Sequence, residues 1–197
     1  ESDKAARKWL KNHGAKFDHF IGNEWRKPSA GEYFKTLNPA NFTEVLGEVA
    51  QGSAEDVDAA MQAAQAAFPA WSALPGFQRA KYLYAIARAI AKHARLFAVL
   101  ESLDSGKTIR ETRDVDIPLA IRHFYYHAGL AMMEELGLVH MKPGGVIGQI
   151  IPWNFPLLML AWKIAPARAA GNTVVLKPAE TTSLTALLFA EILQQAD

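Results

Sequence analysis

Apolar and polar positions change their rhythm twice along this chain. Through residue 52 the apolar positions are scattered and rich in aromatics. "HFIGNEWRK" and "EYFKTLNPANFTEVLGEVA" read as strand-like runs, with Pro39 and Asn41 marking a turn between them. A short leading helix over "ESDKAARKWLKNHG" precedes them. At Ser53 the period becomes helical. "SAEDVDAAMQAAQAAF" opens with Ser53 and Asp56 in a capping-box arrangement and runs amphipathically to Phe68. A second helix is predicted from about Phe77 to Leu103, because Leu83, Ile86, Ala87, Ile90, Ala94, Phe97 and Leu100 fall near one face. A third is predicted from Ile109 to about Glu135, with Pro118 as a kink or restart. Lys and Arg within these helices read as solvated faces.

From Pro143 the pattern changes again. "GGVIGQII" is a short β-branched run bounded by glycines and Pro152, as a buried strand requires. "PLLMLAWKIAPARAAGN" starts with Pro156 at a favoured first-turn position and closes on Gly171, a helix stop. "TVVLKP" is a second buried strand, and "SLTALLFAEILQQAD" a further helix capped by Thr182 or Ser183. Strand, helix, strand, helix is the unit of a parallel sheet with a right-handed crossover.

Composition narrows the function classes. The 197 residues are 50% hydrophobic and 21% charged, with a net charge of +1. There is no basic tract and no Lys/Arg stripe with interleaved aromatics, which argues against nucleic acid as a partner. With no cysteine, these residues hold no disulfide, zinc thiolate or thiol nucleophile. The charged start argues against a signal peptide, and the apolar run from Phe155 to Ala165 is broken by Lys163 and too short for a membrane span. A soluble, cytoplasmic protein is the expectation, and a first residue of Glu rather than Met suggests a processed or trimmed start.

In an open parallel sheet, ligands bind outside the carboxyl ends of the strands. Pro152, Trp153 and Asn154 follow the first strand, and Lys177 to Glu180 follow the second. Asn154 offers an amide donor that stays neutral at any pH, which suits a developing oxyanion. Lys177 offers a point charge, and Glu180 two acceptor oxygens for the hydroxyls of a ribose. An acid beside the ribose repels a 2′-phosphate, which points to NAD rather than NADP. On residue chemistry alone, Asn154 could equally be a turn residue, and Lys177 with Glu180 an exposed surface pair.

"GQIIPWNFPLLMLAWKIAPARAAGNTVVLKPAE" resembles the characteristic block of the aldehyde dehydrogenase superfamily. "NPANFTEVLGEVAQGSAEDVDAAMQAAQAAFPAWSALP" resembles that family's N-terminal region. The resemblance implies an α/β fold, with N-terminal strands and helices over 1–135 and the first part of a Rossmann-like cofactor-binding sheet over 136–197. It implies that Asn154 supplies the side-chain donor of an oxyanion hole. Ile150, Ile151, Pro152 and Trp153 would line the cofactor cleft, and Lys177 and Glu180, with Pro178 and Ala179 between them, would hold the adenosine ribose. In the family a cysteine thiolate attacks the aldehyde, hydride passes to NAD, and a glutamate activates the water that releases the acid.

The departures from that family matter as much. The resemblance covers nearly the whole chain, but the chain matches less than half of a family member. The Gly-rich turn after the next strand, the glutamate base, the cysteine nucleophile and the C-terminal oligomerisation segments are not in it. Aldehyde oxidation, and a homodimer or homotetramer, are therefore expectations for a full-length protein and not for this stretch alone. "HAGLAMMEELGLVHMKPGGVIGQI" is also shorter than the stretch where many members carry a protruding hairpin.

Other motifs fail on context. "DSGKT", 104–108, resembles the tail of a phosphate-binding loop, but Glu101 stands where that motif needs glycine, and the segment sits at a helix end. Gly144, Gly145 and Gly148 do not make a dinucleotide fingerprint and precede a strand rather than follow one. His123 and His127 have metal-pair spacing without further ligands, and no metal is expected. The rival readings are a non-catalytic binding module of the same fold and an unrelated adenine-nucleotide binder.

Overall fold

Ser53 and Asp56 start the first long helix in the way their spacing predicts. The Ser53 hydroxyl accepts the Asp56 N–H at 3.3 Å, and the Asp56 carboxylate accepts the Ser53 N–H at 2.9 Å. The computed structural model describes residues 2–134 and 142–194. The 135/136 domain boundary and the centre of the shortened-hairpin stretch lie outside them.

A leading helix, α1 (Lys4–Asn12), precedes five strands: β1 (Lys16–Phe17), β2 (His19–Ile21), β3 (Glu24–Arg26), β4 (Tyr33–Asn38) and β5 (Asn41–Ala50). β2 and β3 form a hairpin turned by Gly22 and Asn23, both at positive φ, as a two-residue primed turn requires. β1, β5 and β4 make a small mixed sheet in that order.

The helical middle follows as α2 (Ala54–Ser72), α3 (Gly76–Lys92), α4 (Ala94–Ser105), α5 (Ile109–Glu111) and α6 (Ile117–Met133). Two expectations need correction. The single helix expected over 77–103 breaks at His93, where α3 ends and α4 begins. Both halves bury their apolar stripe in one core, Leu83 and Ile90 from α3 with Phe97 and Leu100 from α4, so the periodicity runs on through the break. The helix expected from Ile109 is interrupted by a π-helical turn over Thr112–Asp116, and Pro118 lies in the first turn of α6, where the α-helix resumes.

A third correction concerns the cations. Arg79 on α3 is almost wholly buried, not on a solvated face. Its guanidinium donates to the carbonyls of Leu74 and Ala169, the latter at 3.0 Å, and pairs with Glu134. It therefore closes the last turn of α7 (Pro156–Ala169), where helix carbonyls lack partners.

β6 (Val146–Ile150) and β7 (Thr173–Lys177) pair in parallel, with α7 between them and α8 (Leu184–Gln194) after. Gly171 ends α7 at φ +82°. Its N–H reaches the Arg168 carbonyl at 3.1 Å, and the Asn172 N–H reaches that of Ala167 at 2.9 Å, the paired bonds of a Schellman turn. The Asn172 side chain then accepts from Gly144 and Gly145, which ties the turn to the entry of β6. α2 packs on both strands, and the Thr173 hydroxyl donates to the Ala64 carbonyl at 2.9 Å.

Candidate functional site

The register of the parallel pair places the candidate residues. Ile150 lies opposite Lys177, and the Ile151 N–H extends the ladder to the Lys177 carbonyl at 3.2 Å. Both strands therefore end at one level. The loop 151–155 and the loop 178–183 leave the sheet side by side, the placement at which open parallel sheets bind ligands.

At that rim the chain exposes a mixed surface. Ile150 and Trp153 are 77% and 63% exposed, large apolar side chains left in water. Pro152 and Asn154 are exposed as well, whereas Ile151 and Ala179 are buried and Pro178 half-buried. Lys177 and Glu180 are exposed and form an ion pair with each other. The Lys177 ammonium, by its hydrogen bond, holds the Glu180 carboxyl below the usual carboxylate range. Ile151 and Ala179 thus anchor the loops, and Ile150, Trp153, Asn154, Lys177 and Glu180 are available to a ligand.

Two residues that the sequence reading passed over hold this rim in place. Phe155, the residue before α7, offers no side-chain cap. Glu101 on α4 does so instead, its Oε2 accepting the Leu157 N–H at 3.1 Å. Neither Thr182 nor Ser183 caps α8 with its side chain, contrary to expectation. The Ser183 hydroxyl donates to the Ala179 carbonyl, and Asp104 Oδ2 accepts the Leu184 N–H at 2.9 Å. Glu101 and Asp104 are three apart, so one face of α4 serves both helix starts. Burial pushes the Asp104 carboxyl up to about 7, with the Leu184 N–H and the Thr36 hydroxyl opposing that rise. The only sequence signal was two acids near the apolar stripe of α4.

The "DSGKT" segment has a structural task. Asp104 caps α8, the Thr108 hydroxyl accepts the Glu111 N–H at 3.3 Å, and Lys107 pairs with Asp116. The Lys107 ammonium also sits 3.8 Å from the ring centroid of Phe155, next to Asn154. His123 and His127 share a face of α6 with ring centroids 6.0 Å apart, and His123 accepts the Trp162 indole N–H. Among the described residues, no group of three or more His, Asp or Glu could hold a metal. A cavity of about 460 Å³ between β6 and α7 takes in Ile150, Trp162 and Lys163 but none of Asn154, Lys177 and Glu180.

Known proteins share this fold and much of this sequence. The model of the aldehyde dehydrogenase family matches residues 25–197. The chain belongs to the aldehyde dehydrogenase family. An aldehyde dehydrogenase of Vibrio cholerae is 45% identical over 187 residues, which are 90% of this chain and 37% of that protein. The crystal structure of HpcC from Thermus thermophilus superposes with a TM-score of 0.90 at 39% identity, over 98% of this chain and 39% of that one. Betaine aldehyde dehydrogenase from Staphylococcus aureus, solved with NAD+, gives 0.90 at 35% identity over 98% of this chain and 40% of its own. The chain thus spans less than half the length of these family members, and its α/β fold is that of their N-terminal region.

Proposed function

We propose that this chain is the part of an NAD-dependent aldehyde dehydrogenase that supplies one oxyanion donor and the cofactor's ribose site. The full-length protein oxidises an aldehyde to a carboxylic acid, using a cysteine nucleophile and a glutamate base that these 197 residues do not contain. The observation that carries the reading is the level ending of β6 and β7, which puts Asn154 and the Lys177/Glu180 pair at one rim.

The residues present suit the cofactor. Glu180 is ionised at neutral pH and exposed, so its oxygens can accept from two ribose hydroxyls, while its charge disfavours a 2′-phosphate. Lys177, its partner, offers donors to the same sugar. Ile150, Pro152 and Trp153 present apolar surface that a ring system would cover. NAD, when bound, supplies the acceptor for the hydride leaving the aldehyde carbon.

Asn154 performs the electrostatic part. Its amide stays neutral across the working pH range and donates to the substrate oxygen as that oxygen gains charge. Pre-organisation is what gives such a donor its effect, and the loop is fixed on one side by Ile151 in the ladder and on the other by Leu157 on Glu101. The direct test is acid formation from a short aldehyde by the full-length protein with NAD and with NADP. Turnover with NAD supports the reading; aldehyde left unconsumed under both cofactors overturns it.

A further inference from the structure

We propose that Glu101 and Asp116 form a buried dyad sharing one proton, and that this unit positions the loop carrying Asn154. The second half rests on the reading of Asn154 given above; the first does not.

Both carboxyls are fully buried. Each has one oxygen engaged: Glu101 Oε2 with the Leu157 N–H, and Asp116 Oδ2 with the Lys107 ammonium. The remaining pair, Glu101 Oε1 and Asp116 Oδ1, is inaccessible, and no donor among the described residues reaches either atom. The two carboxyls are within hydrogen-bonding reach of each other. If both were ionised, two negative charges would face one cation without water, and two acceptor atoms would be left unsatisfied. One proton removes the excess charge and makes one orphan oxygen a donor to the other.

The partners decide where the proton resides. Asp116 has a full positive charge against it, whereas Glu101 has a neutral backbone N–H, so the shared proton resides on Glu101. A protonated Glu101 still accepts from Leu157 through its carbonyl oxygen. The charged groups acting on Glu101 from the surrounding elements are Asp116 and Lys107. Burial chiefly pushes Glu101 up to about 8, the Leu157 N–H and Lys107 opposing and Asp116 adding to the rise.

The unit reaches the loop at two points. Glu101 fixes Leu157, three residues after Asn154, and Lys107, held by Asp116, lies over the ring of Phe155. Loss of the dyad would loosen both contacts.

The experiment uses the full-length protein as wild type, Glu101→Gln, Glu101→Ala and Asp116→Asn, with urea unfolding from pH 5 to 9 and turnover at pH 7. Glutamine reproduces a protonated Glu101, accepting from Leu157 and donating to Asp116. Relative to Glu101→Gln, the wild-type folding constant should fall by up to about tenfold per pH unit from near 5 to near 8, then level off. Glu101→Gln should keep kcat within about threefold. Glu101→Ala should lower kcat by about tenfold or more with KM little changed, and Asp116→Asn, which strands Lys107, should destabilise more than Glu101→Gln. Parallel pH profiles for wild type and Glu101→Gln, or a Glu101→Gln as damaged as Glu101→Ala, would overturn the shared proton. Unchanged kcat in a folded Glu101→Ala would overturn the positioning role. The unfolding arm reads the proton even if the protein oxidises no aldehyde.

Discussion

Asp104 closes the start of a helix 80 residues away, its Oδ2 accepting the Leu184 N–H at 2.9 Å while Oδ1 accepts the Thr36 hydroxyl at 3.0 Å. One buried side chain thus joins α4, the strand β4 and the helix α8. Replacing it with alanine leaves a helix N–H and a hydroxyl unpaired in the interior. Asp104→Ala should cost about 2–3 kcal/mol of stability, read as a lower urea midpoint at unchanged slope. Asp104→Asn, which keeps an acceptor for Leu184, should cost less.

The same residue makes stability depend on pH. Its carboxyl titrates near 3.8 when unfolded and at about 7 when folded, so between those values the folded state binds the extra proton. Its contribution is complete below about pH 4, declines as pH rises, and is lost above about 7. Asp104→Asn should flatten the unfolding profile over that window. An unaltered profile would mean that the group is already ionised in the folded state at low pH.

Arg79 is a second long-range cap. It donates to Ala169 and Leu74 from a buried position, and its removal orphans two carbonyls while Glu134 retains some access to water. Arg79→Met should lower stability by about 2–4 kcal/mol, by thermal or urea unfolding. Arg79→Lys should recover only part of this, because an ammonium cannot reproduce the guanidinium's fixed fork.

Lys177 and Glu180 are exposed, so their pairing adds little to folding and their substitution should leave the melting temperature nearly unchanged. In the full-length protein, Lys177→Ala and Glu180→Ala should each weaken NAD binding. Glu180→Ala should also raise NADP affinity relative to NAD, since it removes the charge that repels a 2′-phosphate. Calorimetric titration with both cofactors checks this. Unchanged NAD affinity in both variants would make them a surface pair only.

Local signals were legible in the sequence, and distant ones were not. The Ser53–Asp56 box, the stop at Gly171 and the strands at 146–150 and 173–177 each depend on residues within a few positions of one another. The rim was legible because parallel strands joined by one helix place their ends together. The break at His93 was hidden because no glycine or proline marks it. The caps supplied by Glu101, Asp104 and Arg79 span 56, 80 and 90 residues, and acids or an arginine on an amphipathic helix look like surface charges until the fold brings a helix end to them.

The most direct measurement is steady-state turnover of the full-length protein with Asn154→Ala, beside its NAD affinity and melting temperature. Asn154 is exposed within these residues and belongs to none of the helix caps that hold them together, so neither folding nor cofactor binding should change greatly. Turnover should fall by roughly two to three orders of magnitude, the usual cost of removing one oxyanion donor. Turnover within a few-fold of wild type would contradict the assignment of this rim as the place where the substrate oxygen is stabilised.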